Sequence, residues 1–569
     1  MADDRSYEAA LAHLASLQSN LAVTSLFSKP LAPTPDLPGD KASQDPNAPA
    51  IPEMLAWLRR AGIEAADLGG NGSSQQQGLR CVHVAGTKGK GSVCAFLTSI
   101  LARCPAAGRV GTYTSPHLVS VRERILLDGV PIRRDLFARY FFEVWDALTE
   151  AARAEAIAQL SSSPSSPSQP ATKVALSEAQ ERELRGPATK PFYFRFLTIL
   201  ALHAFRCEGI RTAVVECGIG GEHDATNVLP PAAVTASVVA QLGLDHVAML
   251  GDTVPKIARH KAGVCKRGRR CFTRRLPSSS VEDGDATVDN EVMRVLRGTA
   301  CEKGAVLVEL DDAAVARWGG VSPAGGTLGG EFQVLNQALA VAAAREHLRV
   351  LEGEKQLQAS LKTPPSLVPA EGDTDYWLRD LPPGFVAGLR SARLGGRCET
   401  RLDGNVTWLV DGAHTADSLR EVARWFVSKR ADLFPDDAGC ITVLFFNQQE
   451  RDAVAMLRGL MDNIARSASE HGVASGAKLF DYAIFTRNDG LARREDEPER
   501  DLSVQRAAAE ALRGLAPETQ NIAAVDSVAE AVGKIKNLGG DGKKVVVLAT
   551  GSLHLVGALL RTLEPEAEL

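Results

Sequence analysis

The chain has 569 residues, which at roughly 150 per domain allows three or four domains as an upper bound, since linkers and insertions also use length. Hydrophobic residues make up 45% and charged residues 23%, an ordinary globular balance that excludes a disordered chain. The 64 Lys and Arg against 69 Asp and Glu give a net charge of −5, which argues against a nucleic-acid coat, and no apolar run of about 18–20 residues offers a membrane span.

Ten cysteines are scattered from Cys81 to Cys440 without a Cys-x-x-Cys pair, as expected of free thiols in a reducing compartment. The start, Met-Ala-Asp-Asp-Arg, has two early acids and no apolar core. The expectation is therefore a cytoplasmic protein with no secretory leader and no clear mitochondrial presequence.

In chain order, Arg80–Gly86 reads as a short strand followed by a helical pattern from Lys90 to Arg103. A Ser/Pro run at 161–172 reads as a loop, part of an insertion near 161–190. Thr212–Cys217 and Ala233–Ala240 are buried-strand candidates, and 276–290 reads as a second insertion. Residues 353–384, with Thr363-Pro364-Pro365 and Leu381-Pro382-Pro383, read as an interdomain linker. Beyond it come strand candidates Val406–Val410, Ile441–Phe446, Tyr482–Phe485 and Val545–Ala549, with helical stretches near 416–428, 451–466, 501–515 and 554–563. Strands alternating with helices predict parallel sheets with helices on their faces. The expected division is an α/β domain over 1–352, a linker over 353–384 and a smaller α/β domain over 385–569.

Gly86-Thr87-Lys88-Gly89-Lys90-Gly91-Ser92 lies between the first strand and its helix. Glycines let successive N–H groups turn toward a phosphate, the helix N-terminus adds its dipole, and Lys90 adds a full charge. The loop departs from G-x-x-x-x-G-K-[ST], being shorter and placing Gly91 directly after the lysine. An ordinary βα connection is the competing reading.

The run Val84–Ser92 resembles the nucleotide loop of folylpolyglutamate synthases, relatives of the Mur peptidoglycan ligases. Further motifs follow in the order of that family: Thr114-Ser115-Pro116-His117-Leu118 with Arg122-Glu123-Arg124-Ile125, then Val215–Gly221 and Asp224-Ala225-Thr226-Asn227. Leu244-Asp245-His246, Leu250-Gly251-Asp252-Thr253 and Ile257–Gly263 come next, and Asp411–Thr415 and Gly551–Gly557 lie in the second half. The resemblance spans about Tyr7 to Gly557 and implies a Mur-ligase-like, P-loop nucleotide-binding α/β domain plus a Rossmann-like C-terminal α/β domain.

The resemblance further implies a ligase that uses ATP to join L-glutamate to the γ-carboxylate of folate or tetrahydrofolate through an acyl phosphate. ATP contacts carry over to Gly89, Lys90, Gly91 and Ser92, and in the second half to Arg397 and Asp411 with His414 close by. Gln333 and Asn336 are further nucleotide-side candidates. Ser115, Glu216 and His246 fall on the family's Mg²⁺ ligands, while Lys261 falls on a carbamylated lysine that helps hold a second Mg²⁺. Pro116, His117 and Arg122 fall on the folate-side loop. Lys90, Lys261 and His414 are the expected catalytic groups. Without the resemblance, Glu216 reads more readily as a helix cap or surface acid and His246 as a structural histidine.

A monovalent cation such as K⁺ is a further candidate cofactor. The expected partners are small molecules only, with no nucleic acid, on a monomer that can serve cytosol and mitochondria. Two departures stand out: Leu394-Gly395-Gly396-Arg397 replaces a common Trp-Pro-Gly-Arg, and Phe332 stands where a His often precedes the glutamine. The competing functions are dihydrofolate synthase, with the same mechanism, and a catalytically silent nucleotide-binding protein. The cations Lys266, Arg267, Arg269, Arg270, Arg274 and Arg275 read as a solvated face, or as a field attracting polyanionic folates.

Overall fold

Apolar runs flanked by turn residues become the strands of two sheets, described here by a computed structural model covering residues 4–17, 47–70, 78–162, 176–276, 286–324, 327–359, 374–433, 440–449, 451–471, 478–494, 496–519, 521–540 and 543–564. The first sheet contains Arg80–Ala85 (β1), Val110–Tyr113 (β2), Ile125–Leu127 (β3), Val130–Pro131 (β4), Thr212–Glu216 (β5), Val234–Val239 (β6), Arg270–Arg275 (β7) and Val306–Asp311 (β8). Their order is β4-β3-β2-β5-β1-β6-β7-β8, parallel except for the edge strands β3 and β4. Central strands covered on both faces read as unbroken apolar runs, and β5 and β6 are buried at every position.

The second sheet contains Glu399–Asp403 (β9), Val406–Val410 (β10), Cys440–Phe446 (β11), Tyr482–Thr486 (β12), Asn521–Val525 (β13) and Lys544–Thr550 (β14). Its order is β13-β12-β11-β14-β10-β9, with only β9 antiparallel. Trp408, Val443, Phe445 and Val547 fill the core on one face, and Leu409, Leu444, Phe446 and Leu548 fill it on the other.

Contacts divide the chain into two compact units, Met1–Pro116 with Arg124–Gly320 and Leu335–Gly388, and His117–Glu123 with Val321–Val334 and Leu389–Leu569. The described part of the expected linker is anchored in the first unit. Thr374–Leu378 and Pro383–Ser391 are helices, and the Trp377 ring meets Phe272 of β7 edge-on at 4.9 Å. The Pro382-Pro383 pair masked this, because it marks a helix boundary as readily as a linker. Residues 360–373 and 163–175, with 277–285 of the second insertion, lie outside the described residues. Within the first insertion Glu178–Arg185 is a helix capped reciprocally by Ser177 and Gln180.

The second half of the basic segment, Arg270–Arg275, is strand β7. Cys271, Phe272 and Thr273 of β7 are buried, while Arg270 pairs with Glu346 at 3.0 Å, Arg274 with Asp312, and Arg275 with Glu309 at 3.6 Å. Lys266 donates to Asn227 O and Oδ1, so most of these cations are locally matched rather than massed as a field. None of the ten cysteines forms a disulfide, and no helix among the described residues is long and apolar enough to cross a membrane.

Trp377→Ala should lower stability by roughly 3–5 kcal/mol, as for a buried aromatic. Urea unfolding measures this, and an unchanged midpoint would mean that 374–384 is a loose connection.

Candidate active site

Parallel strands bring their carboxyl ends to one edge of the first sheet, where such folds bind ligands. Register aligns these ends: Glu216 of β5 lies beside Val84 of β1, Tyr113 of β2 beside Val215, and Ala85 of β1 beside Val239 of β6. Glu216 ends β5, and the segments leaving the other three strands carry Ser115, Gly86–Ser92 and His246.

The glycine–lysine loop is pinned before its helix starts. Thr87 and Lys88 both donate backbone N–H to Gln241 O, at 2.8 and 3.1 Å, and Thr87 Oγ1 donates to Gly243 O at 3.0 Å. Gly89 caps the Lys90–Leu101 helix at φ 80°, and a Cβ there would overlap Asn336 Oδ1. Asn336 is thereby placed against the loop. Gly91 and Ser92 lie in the helix's first turn.

Two ammonium groups converge on one oxygen. Lys90 Nζ donates to Gly86 O at 3.0 Å, and Lys261 Nζ donates to the same oxygen at 2.9 Å. Lys261 is 2% exposed, in the last turn of the Val254–Ala262 helix. Burial first, and the nearby Lys90 charge second, bring its pKa down to about 7. Gly221 lets this helix approach: a Cβ there would lie 2.6 Å from His260 O and 2.8 Å from Lys261 O.

Glu216 is 3% exposed, and its Oε2 accepts the Ser115 N–H at 3.0 Å, so the two are neighbours. Asp224 holds the following loop by accepting from Ile219 N and from Thr226 N and Oγ1, and its burial raises its pKa. His246 stands at φ 49° with its side chain 45% exposed, 3.8 Å from the Asp245 carboxylate. Pro116 follows Ser115 in the first unit, whereas His117 and Arg122 group with the second.

In the second unit, Asp411 is buried at the end of β10. Its two oxygens accept from Cys398 N at 2.8 Å and Ala413 N at 2.9 Å, and burial raises its pKa against the opposing pull of Arg397. Gly412 N donates to Gly396 O at 3.0 Å, which ties the Arg397 turn to the Asp411 loop. His414 is oriented by a 3.1 Å contact between its Nδ1 and Gly412 O. Gln333 begins the Gln333–Ala359 helix and groups with the second unit, Asn336 with the first.

Several organising residues were given no role by the sequence, although Glu123 stands within the Arg122–Ile125 motif. Glu123 accepts the amides of Leu118, Val119 and Ser120 at 2.9, 2.8 and 2.6 Å, shaping the loop that holds His117. Glu399 accepts Gly396 N at 2.7 Å beside Arg397. Past the carboxyl ends of β11 and β12, Asn447 donates to Asn488 Oδ1 at 2.7 Å, and Gln505 donates to Asn447 Oδ1 at 2.9 Å. Their only sequence signal was an amide pair, Asn447-Gln448, directly after a strand.

Solved structures share this architecture. Mycobacterium tuberculosis folylpolyglutamate synthase complexed with ADP and AMPPCP aligns at a TM-score of 0.54 with 22% identity, covering 91% of this chain and 98% of that one. E. coli FolC in complex with DHPP and ADP aligns at 0.52 with 20% identity, covering 96% and 98%. The fold is thus Mur-ligase-like. No family model matches the sequence.

Full-length relatives narrow the class. Neurospora crassa folylpolyglutamate synthase is 37% identical over 539 residues, 92% of this chain and 87% of the relative. The Candida albicans folylpolyglutamate synthase is 32% identical over 582, covering 99% and 97%. The chain belongs to the folylpolyglutamate synthase family.

The Lys261 assignment predicts a pH signature. With a folded pKa of about 7 against an ordinary 10.5, the unfolded chain holds a proton between these values that the folded chain lacks, so this site's contribution to stability rises with pH across that window. In carbonate-free buffer, the stability of wild type relative to Lys261→Met should therefore increase from about pH 7 to about pH 10. A constant difference in unfolding free energy would show that Lys261 keeps an ordinary pKa.

Proposed function

We propose that the chain is an ATP-dependent ligase that adds L-glutamate to the γ-carboxylate of a folate, releasing ADP and phosphate. The near-full-length likeness to fungal proteins of that name carries this reading. The paired lysines at the Gly86 loop supply its chemistry.

A free carboxylate is a poor acyl donor. Its attack on the ATP γ-phosphorus forms an acyl phosphate and expels ADP, and the glutamate amine then attacks the acyl carbon and expels phosphate. Negative charge gathers in both steps. Lys90 and the N-terminus of the Lys90–Leu101 helix meet it with positive ends, while the Thr87 and Lys88 amides serve to pin the loop to Gln241 O. Asn336 braces the loop at Gly89. In the second unit Arg397 is the nucleotide-side cation, with Asp411 holding its turn and His414 beside it.

The donor set also suits a divalent cation. Glu216 offers a nearly buried carboxylate, Ser115 lies hydrogen-bonded to it, and His246 stands on a loop of the same edge. Mg²⁺ prefers oxygen and keeps several waters, so few protein ligands suffice. Bound there, Mg²⁺ would supply charge neutralisation on phosphate oxygens. Lys261, with its pKa near 7, holds a substantial neutral-amine fraction at physiological pH, the form that adds CO₂ to become a carbamate anion.

Purified protein should release ADP only when ATP, a folate and L-glutamate are all present, and silence with every folate would overturn the ligase reading. Tetrahydrofolate should outperform dihydropteroate as acceptor, and the reverse order would make the chain a dihydrofolate synthase. Lys90→Ala should lower kcat at least about hundredfold, the scale of a lost charge-stabilising donor. Lys261→Ala should be inactive and partly rescued by short-chain carboxylates. Full activity in that variant would remove Lys261 from the mechanism.

A further inference from the structure

A second cluster of metal-ligand side chains lies outside all of these residues. His203 and Cys207 are one turn apart in the Tyr193–Cys207 helix and so share a face. Glu143, from the Arg134–Ser162 helix, reaches the same point. Its Oε2 lies 2.6 Å from His203 Nε2, and Cys207 Sγ lies 3.6 Å from that nitrogen. The three ligand atoms fall within 4.8 Å of one another, the one such trio of His, Cys and carboxylate groups among the described residues.

These spacings approach those of a tetrahedral site. Zinc bonds of about 2.0–2.1 Å to nitrogen and about 2.3 Å to sulfur set the two ligands roughly 3.6 Å apart at the tetrahedral angle. The sulfur–nitrogen pair already has that separation. The carboxylate is closer because it now shares a hydrogen bond, and it needs to move back only to roughly 3.3 Å. A half-exposed glutamate side chain can do this by rotation.

The surroundings serve such a site. Arg139 Nε donates to the other Glu143 oxygen at 2.8 Å, orienting the carboxylate from outside as metal ligands are commonly held. The Tyr140 ring stands edge-on to His203 at 5.6 Å. Cys207 is exposed, so a fourth position is open to water. One thiolate, one imidazole and one carboxylate select a borderline-soft ion, whereas Mg²⁺ wants oxygen alone.

We propose that Glu143, His203 and Cys207 bind one zinc-class divalent ion, separate from the ligase site, which clasps the Arg134–Ser162 helix to the Tyr193–Cys207 helix. The test uses the full-length chain stripped with chelator and titrated with Co²⁺. One equivalent should give a near-ultraviolet thiolate-to-cobalt band that Cys207→Ser and His203→Gln abolish and Cys301→Ser, at another exposed cysteine, retains. Zn²⁺ should compete the band away at micromolar concentration and raise the Tm of wild type but not of Cys207→Ser. Glutamate-dependent ADP release with Mg²⁺ present and zinc withheld should be the same in Cys207→Ser as in wild type, which shows that the variant folds and that the two sites are independent. No band in wild type, an equal band in Cys207→Ser, or zinc binding only at millimolar concentration would overturn the proposal.

Discussion

Lys90 and Lys261 bring two ammonium nitrogens to Gly86 O, and much of the first unit is arranged to hold them there. Like charges around one acceptor repel, and burial adds to the cost for Lys261, whose proton is correspondingly loosened. The convergence needs Gly86 at the end of β1, a loop pinned to the exit of β6, and a helix able to approach Gly221 closely enough to bury Lys261. These demands meet at the carboxyl edge of parallel strands because only there do loop, helix terminus and neighbouring strand ends coincide.

Away from that point, carboxylates accepting backbone amides do most of the positioning. Glu123, Glu399 and Asp411 each fix a loop that carries a candidate residue, and Asp224 fixes the loop that follows Glu216. An ionised carboxylate bonds amides more strongly than a neutral acceptor does, so one side chain can order several residues without a regular element. The arrangement recurs in both units, and each cluster is complete within its own unit.

Sequence periodicity and glycine spacing made the central strands legible: β1, β5, β6, β10, β11, β12 and β14 lie within a residue or so of expectation. Buried parallel strands are nearly pure apolar runs, the least ambiguous pattern available. Peripheral strands were not legible. In β7, arginines flank a buried triplet, and their charge hid the strand until Glu346 and Asp312 appeared beside them. The β3–β4 hairpin is only five residues of strand around Asp128-Gly129, whose paired positive φ values make the turn. The Asp-Gly signal was present in the sequence, but strands so short carry little pattern of their own.

Motif order by itself determined the family and singled out Gly86–Ser92, Ser115, Glu216 and Lys261 as candidate positions, because such chemistries require particular residue types at particular spacings. Only the tertiary structure decided that Lys261 shares an acceptor with Lys90 and that Asn336 backs Gly89. It also decided that residues 374–388 belong to the first unit, and that Glu143, His203 and Cys207 meet. Each of these joins residues tens to hundreds of positions apart. Local spacing encodes a turn or a helix face, but a distant contact exists only once burial of apolar surface has brought the elements together.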